Sequence, residues 1–233
     1  MNIEKIYQLQ DSIIDKIAQL NDNILFSGGT LLSRGYLSHR ETDDLEFFLP
    51  RETDIEDKFK KIKTAFRGSY IIKNVNKENL YPDTLRITFA VSEITDISGV
   101  NSISIRLYQD LFFEDFDNFK LENGLFVSDI EGIFFRKILE FINFPKNPLT
   151  IVDIAYIDNE LHLIDFVDTI KEKFEDKGYN FNNQLLIEKL NVSKDYVMNN
   201  IEKTENTLKK YGVNIKGNVL IKWIEAKIQE LQD

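Results

Sequence analysis

The stretch from Ile24 to Phe48 constrains the fold more than any other part of the chain. An apolar run, Ile24-Leu25-Phe26, ends in a small-residue turn, Ser27-Gly28-Gly29-Thr30. The run predicts a buried strand over about 24–27, and the glycines sit where the turn must be tight. Thr30 to Tyr36 reads as a short helix whose N-terminus would face the turn, where a phosphate is welcome. A second strand follows over about Asp44 to Leu49, closed by Pro50. Within it Asp44 and Glu46 stand at i and i+2, so their side chains project from one face, while Asp43 points to the other. Two convergent carboxylates beside a glycine-rich turn suit magnesium and a triphosphate. The metal takes carboxylate and phosphate oxygens, and backbone N–H groups cradle the anion.

The rest of the chain separates into strands and then helices. Ile6, Leu9, Ile13, Ile14, Ile17 and Leu20 recur at helical spacing before the turn, and Ile55, Phe59, Ile62 and Phe66 do so after the second strand. Strand-like runs follow over 70–75, 85–91 and 102–108, with turn material at Tyr81-Pro82-Asp83 and Asp96-Ile97-Ser98-Gly99. A short strand at 125–127 precedes Ser128-Asp129-Ile130-Glu131, which has the S-x-x-E form of a capping box. Helical patterns then cover about 129–142, 149–157, 160–175, 182–189, 193–211 and 216–231. Strands followed by helices imply an α+β class, divided near residue 127 into domains 1–127 and 128–233.

Composition narrows the chemistry. The chain of 233 residues has no cysteine, which removes disulfides, thiolate zinc sites and cysteine nucleophiles, and only His39 and His162 could supply imidazole. A net charge of −10 argues against a general nucleic-acid coat protein. It leaves room for a local basic face at Lys58, Lys60, Lys61, Lys63 and Arg67, although a solvated helix face is the simpler reading. The start lacks a basic and apolar leader pattern, and no apolar run approaches the ~20 residues that span a bilayer. The expectation is a cytoplasmic protein without a membrane partner.

At the turn and the carboxylates the sequence resembles a known family. Gly28-Gly29-Thr30 and His39-Arg40-Glu41-Thr42-Asp43-Asp44-Leu45-Glu46-Phe47-Phe48 are similar to the core motif of the AbiEii abortive-infection toxins. That motif is a Gly-Gly-Thr turn followed by His-Arg-x-Ser-x-Asp-Leu-Asp-Phe-Phe, within the polymerase-β-like nucleotidyltransferase superfamily. Thr42 stands where serine is usual, and Glu46 where the second aspartate is usual. Lys137-Ile138-Leu139-Glu140-Phe141 looks like the family's lysine helix. Leu149 to Ile154 keeps only the final aspartate, Asp153, of its Arg-Asp-Ile-Tyr-Asp motif.

The resemblance implies an N-terminal polymerase-β-like mixed sheet flanked by helices and followed by a C-terminal helical bundle. It implies Mg2+ on Asp44 and Glu46 as catalytic residues, with Ser27, Gly28, Gly29, Thr30, Arg40, Lys137 and Asp153 about the nucleotide. A nucleoside monophosphate would pass from an NTP to an acceptor hydroxyl, with the 3′ end of RNA or tRNA a leading acceptor. The setting would be toxin–antitoxin or phage defence, with a cognate antitoxin as partner. One position departs from the pattern: where the superfamily places a third carboxylate on a later strand, this chain has Arg106. The alternative is therefore a catalytically degenerate fold that binds nucleotide or a partner.

Overall fold

The computed structural model describes residues 2–20, 22–96 and 101–232, so most of the expected turn at Asp96-Ile97-Ser98-Gly99 lies outside the described residues. The chain forms two compact units. Met1–Tyr36 and Thr42–Ile133 make the first, and Leu37–Glu41 and Phe134–Asp233 make the second.

The first unit is built on a mixed sheet of seven strands among the described residues. They are β1 (Leu25–Ser27), β2 (Asp44–Pro50), β3 (Tyr70–Leu80), β4 (Thr84–Glu93), β5 (Ile103–Asp110), β6 (Asn118–Lys120) and β7 (Phe126–Ser128), in the order β3-β4-β5-β2-β1-β7-β6. β2 runs antiparallel to β1 and parallel to β5, so it lies inside the sheet with both edges paired. Helices α1 (Ile3–Ala18) and α3 (Ile55–Phe66) cover one face. Ile6, Ile13, Ile17, Ile62 and Phe66 pack there with Leu45, Phe47 and Leu49 of β2. Strand alternation then sends Asp44, Glu46 and Phe48 to the other face, where Phe48 and Tyr108 stack with ring centroids 4.6 Å apart.

Local chemistry sets the helix starts. Asn2 accepts from the Lys5 N–H at α1, and Asp54 from the Glu56 and Asp57 N–H groups at α3. Between β1 and β2 the chain makes one α turn, α2 (Gly28–Leu31), and continues as a π-helix over Leu32–Leu37. The cap of α4 (Ile130–Asn143) is Asp129, whose Oδ1 accepts the Gly132 N–H at 2.7 Å. The expected box put that cap one residue earlier, on Ser128, which is instead the last residue of β7.

The second unit is helical, with α5 (Pro148–Leu161), α6 (Leu163–Asp176), α7 (Asn183–Asn199), α8 (Ile201–Lys210) and α9 (Gly217–Gln232) following most of α4. Asn147 caps α5, and Pro148 sits in its first turn, where the missing N–H costs nothing. The expected break at 190–192 is absent. Leu186, Leu190, Ser193 and Val197 form one buried stripe, so α7 runs on to Asn200, whose backbone leaves the helical region. Asp158 of α5 ties three helices together, accepting from the Leu163 N–H at 2.7 Å and the Trp223 Nε1–H at 3.0 Å, with Lys227 Nζ at 3.0 Å. Among the described residues no helix is long and apolar enough to cross a membrane.

Candidate active site

Register brings the turn and the carboxylates together. Glu46 lies directly across from Ser27 on β1 and from Arg106 on β5. Its side chain folds against the Gly28-Gly29 turn, and Oε2 accepts the Gly29 N–H at 2.9 Å. Oε1 accepts from Arg106 Nη1 at 3.1 Å and from the Tyr108 hydroxyl at 3.2 Å. Gly28 has φ +84°, and a Cβ there would lie 1.9 Å from Glu46 Oε2. Both the backbone and the carboxylate therefore demand glycine. The turn does gather an anion at the start of the short helix, and that anion is the protein's own Glu46.

Asp44 is held through its backbone. Its carbonyl accepts from the Thr30 hydroxyl at 2.6 Å and from Gln10 Nε2 at 3.1 Å. Its carboxylate lies 3.3 Å from the same hydroxyl through Oδ1, and 2.8 Å from Arg106 Nη1 through Oδ2. One guanidinium nitrogen thus bridges both carboxylates. The side chain of Asp44 keeps 17% of its surface exposed and that of Glu46 only 4%, so Asp44 is the member of the pair that a ligand can meet. Ser27 Oγ is buried without a hydrogen-bond partner among the described residues.

The remaining candidates gather in the helical unit. Residues 37–41 belong to it, so the His-Arg prefix joins the later helices. Arg40 donates to Asp153 as a fork, Nε to Oδ1 at 2.6 Å and Nη2 to Oδ2 at 2.8 Å. His39 Nε2 donates to Oδ1 at 2.8 Å, and its ring packs on Tyr156 with centroids 4.9 Å apart. Lys137 Nζ lies 2.6 Å from Glu140 Oε2 and 3.3 Å from Asp153 Oδ2. Asp153 is completely buried. Desolvation pushes its carboxyl upward, but Arg40 and Lys137, with the hydrogen bonds from Arg40 and His39, hold it far below the ordinary carboxylate range.

The structure therefore brings Ser27, Gly28, Gly29, Thr30, Asp44 and Glu46 together in the sheet unit, and Arg40, Lys137 and Asp153 together in the helical unit. Sequence reasoning missed Gln10 and Tyr108. Gln10 is buried beside the apolar stripe of α1, and its Nε2 also donates to the Thr42 carbonyl at 3.2 Å. A polar residue beside an otherwise apolar stripe was the available signal. Tyr108 alternates with Arg106 on β5, which puts both on the face of Glu46.

The donor set does not fit a resident divalent ion. Among the described residues no group of three or more His, Cys, Asp or Glu side chains could hold a metal. Both oxygens of Glu46 already accept hydrogen bonds, and Arg106 sits where the superfamily pattern asks for a third carboxylate.

Residues 14–107 match the family described as nucleotidyl transferase AbiEii toxin, type IV TA system. No curated protein matches. Among solved structures, JHP933 from Helicobacter pylori matches at 16% identity and a TM-score of 0.46, covering 99% of this chain and 89% of that one. A second H. pylori protein, described as a nucleotidyltransferase, matches at 14% identity and a TM-score of 0.44, covering 97% and 92%. The matched segment contains the glycine turn, the His-Arg prefix, both carboxylates and Arg106, and over it this chain is similar to the AbiEii nucleotidyl transferase toxin family.

Proposed function

We propose that the protein transfers a nucleoside monophosphate from an NTP to an acceptor hydroxyl, with the 3′ end of an RNA, tRNA foremost, as acceptor. The supporting observation is the common face that Asp44 and Glu46 share beside the Gly28-Gly29 turn, within the segment that carries the family match. The acceptor oxygen attacks the α-phosphorus, the bond to the β-phosphate oxygen breaks, and pyrophosphate leaves. Asp44, the more exposed carboxylate, takes the proton of the attacking hydroxyl. Arg106 supplies a planar cation for phosphate oxygens, and Glu46 holds the turn. Mg2+ enters as the counter-ion that accompanies the triphosphate.

In this reading residues 1–127 form the nucleotidyltransferase core and residues 128–233 a helical domain. Lys137, Arg40 and Asp153 form a second charged centre within the helical unit. A groove of about 430 Å3 in the sheet unit, lined by Lys60, Lys63 and Arg67 over Phe66, Tyr70 and Ile72, offers the acidic chain a contact for acceptor phosphates. The work takes place in the cytoplasm, and a cognate antitoxin restrains it. The test is label transfer from each α-labelled NTP to RNA and to protein, with Asp44→Asn as control. Transfer by wild-type protein that the variant loses supports the proposal.

One observation favours a second reading. Arg106 already compensates the carboxylates, as suits a fold that binds nucleotide or a partner without transfer. Wild-type protein that binds NTP but labels no acceptor would establish that alternative and end the enzyme reading.

A further inference from the structure

We infer that Arg106 is the resident cation of the Asp44–Glu46 pair and closes it to free divalent ions. Three observations carry this. First, the register of β2 and β5 places Arg106 directly opposite Glu46, so its position follows from backbone pairing and not from a mobile loop. Second, Nη1 lies 2.8 Å from Asp44 Oδ2 and 3.1 Å from Glu46 Oε1. A divalent ion ligated by these two oxygens, at the ~2.0–2.6 Å such bonds require, must compete with the guanidinium for them and bear its repulsion. Third, Glu46 cannot readily turn away to form a new seat. Glu46 Oε2 is fixed on the Gly29 N–H and Oε1 is shared with Tyr108, while Thr30 and Gln10 pin the Asp44 backbone.

The charge count points the same way. A third carboxylate at position 106 would give the site three negative charges. With Arg106 these three side chains sum to one, a change of two charges where ligand charge is what holds a hard cation. Arg106 thus also positions the two carboxylates. It bridges them and holds them together without a metal.

The test uses full-length protein without nucleotide and Mn2+ as the probe, with loss of the aqueous Mn2+ paramagnetic signal as readout. Wild-type protein should show no Mn2+ site that depends on Asp44. Arg106→Gln should open one, and Arg106→Glu should bind at least ~100-fold more tightly than wild type, because ligand charge is added. Asp44→Asn in either background should remove the gain. Arg106→Lys, which keeps the charge, should stay closed. A wild-type Mn2+ site that Asp44→Asn abolishes would overturn the inference, whatever becomes of the other variants. So would Arg106→Gln and Arg106→Glu proteins with native circular dichroism and no gain, or an Arg106→Lys protein that gains as much as Arg106→Gln. No nucleotide or acceptor is present, so this outcome and the label-transfer outcome can fail independently.

Discussion

Arg106 in the sheet unit and Arg40 in the helical unit each grip carboxylates, and the difference between them lies in burial and balance. The side chain of Arg40 is 5% exposed and that of its partner Asp153 is 0% exposed. The side chain of Arg106 is 24% exposed, and Asp44 beside it keeps 17%. In the helical unit Arg40 and Lys137 face Asp153 and Glu140, two cations against two carboxylates. In the sheet unit the Arg106 guanidinium bridges Asp44 and Glu46. A fully desolvated charge must be matched, because an unpaired one costs several kcal/mol. A partly wet cluster tolerates less exact matching, and its solvent-facing side is what a ligand can meet. The same residue types therefore make a fully buried cluster in one unit and a partly exposed one in the other.

The sharpest way to break this comparison is to remove the buried anion. Asp153→Ala should cost about 3–5 kcal/mol in urea unfolding, because it removes the buried carboxylate that Arg40 and Lys137 share. Arg106→Gln should cost no more than about 1–2 kcal/mol, since water reaches that pair. Equal losses from both would show that burial does not separate the clusters. The pH profile sharpens the same point. The folded-state pKa of Asp153 is lowered, so its stabilisation is complete above the unfolded carboxylate value of about 4 and is lost as pH falls below it. Stability measured from pH 6 down to pH 2 should fall in wild type, and the fall should be shallower in Asp153→Asn.

Asp44, the more exposed carboxylate of the sheet unit's pair, should instead report in activity. Asp44→Asn should reduce label transfer by about 10²–10³-fold, as expected when a preorganised charge at the reacting phosphate is lost. Its unfolding free energy should shift by no more than about 1.5 kcal/mol. A variant that unfolds more than it slows would move Asp44 into the structural class with Asp153. Gly28→Ala stands between the two cases. The positive φ and the Glu46 carboxylate both oppose a Cβ, so a stability loss of about 1–3 kcal/mol is expected. Label transfer should fall with it, because the turn and Glu46 share one hydrogen bond.

How much of this could be read beforehand differs between the clusters for physical reasons. Asp44 and Glu46 were legible because strand alternation is a local rule, and β2 obeys it with Leu45, Phe47 and Leu49 turned to the core. The helical stripe of α1 was legible in the same way. Arg106 was visible as a departure, but its grip on both carboxylates depends on β5 pairing parallel with β2, a long-range register that no local pattern states. Asp153 was harder still. A carboxylate in a helix is usually solvated, and only the return of residues 37–41 to the helical unit supplies the arginine that lets it be buried. The cap of α4 was misplaced by one residue because Ser128 and Asp129 are both competent caps, and β7 claims the first. The strand β6 left no signal, and the short helix expected over Thr30 to Tyr36 gave no sign of its π-helical winding over Leu32–Leu37.

The smallest expected effect concerns the basic groove, and it tests whether exposure alone gives a charge a functional role. Lys58 is largely spent on Asp22 at 2.7 Å, and Lys61 sits 3.4 Å from Asp57. Lys60, Lys63 and Arg67 share one helical face at i, i+3 and i+7 and line the groove with Tyr70. If RNA phosphates lie there, replacing all three by alanine removes up to three phosphate contacts. The slope of log binding against log salt should then flatten by about 2 for single-stranded RNA, at ~0.7 per contact. Fluorescence anisotropy of a labelled RNA 3′ end between low and physiological salt measures this directly. Nucleotide binding and unfolding free energy should stay within about 0.5 kcal/mol of wild type, because these side chains sit at the surface. An unchanged salt slope would return the three cations to an ordinary solvated helix face.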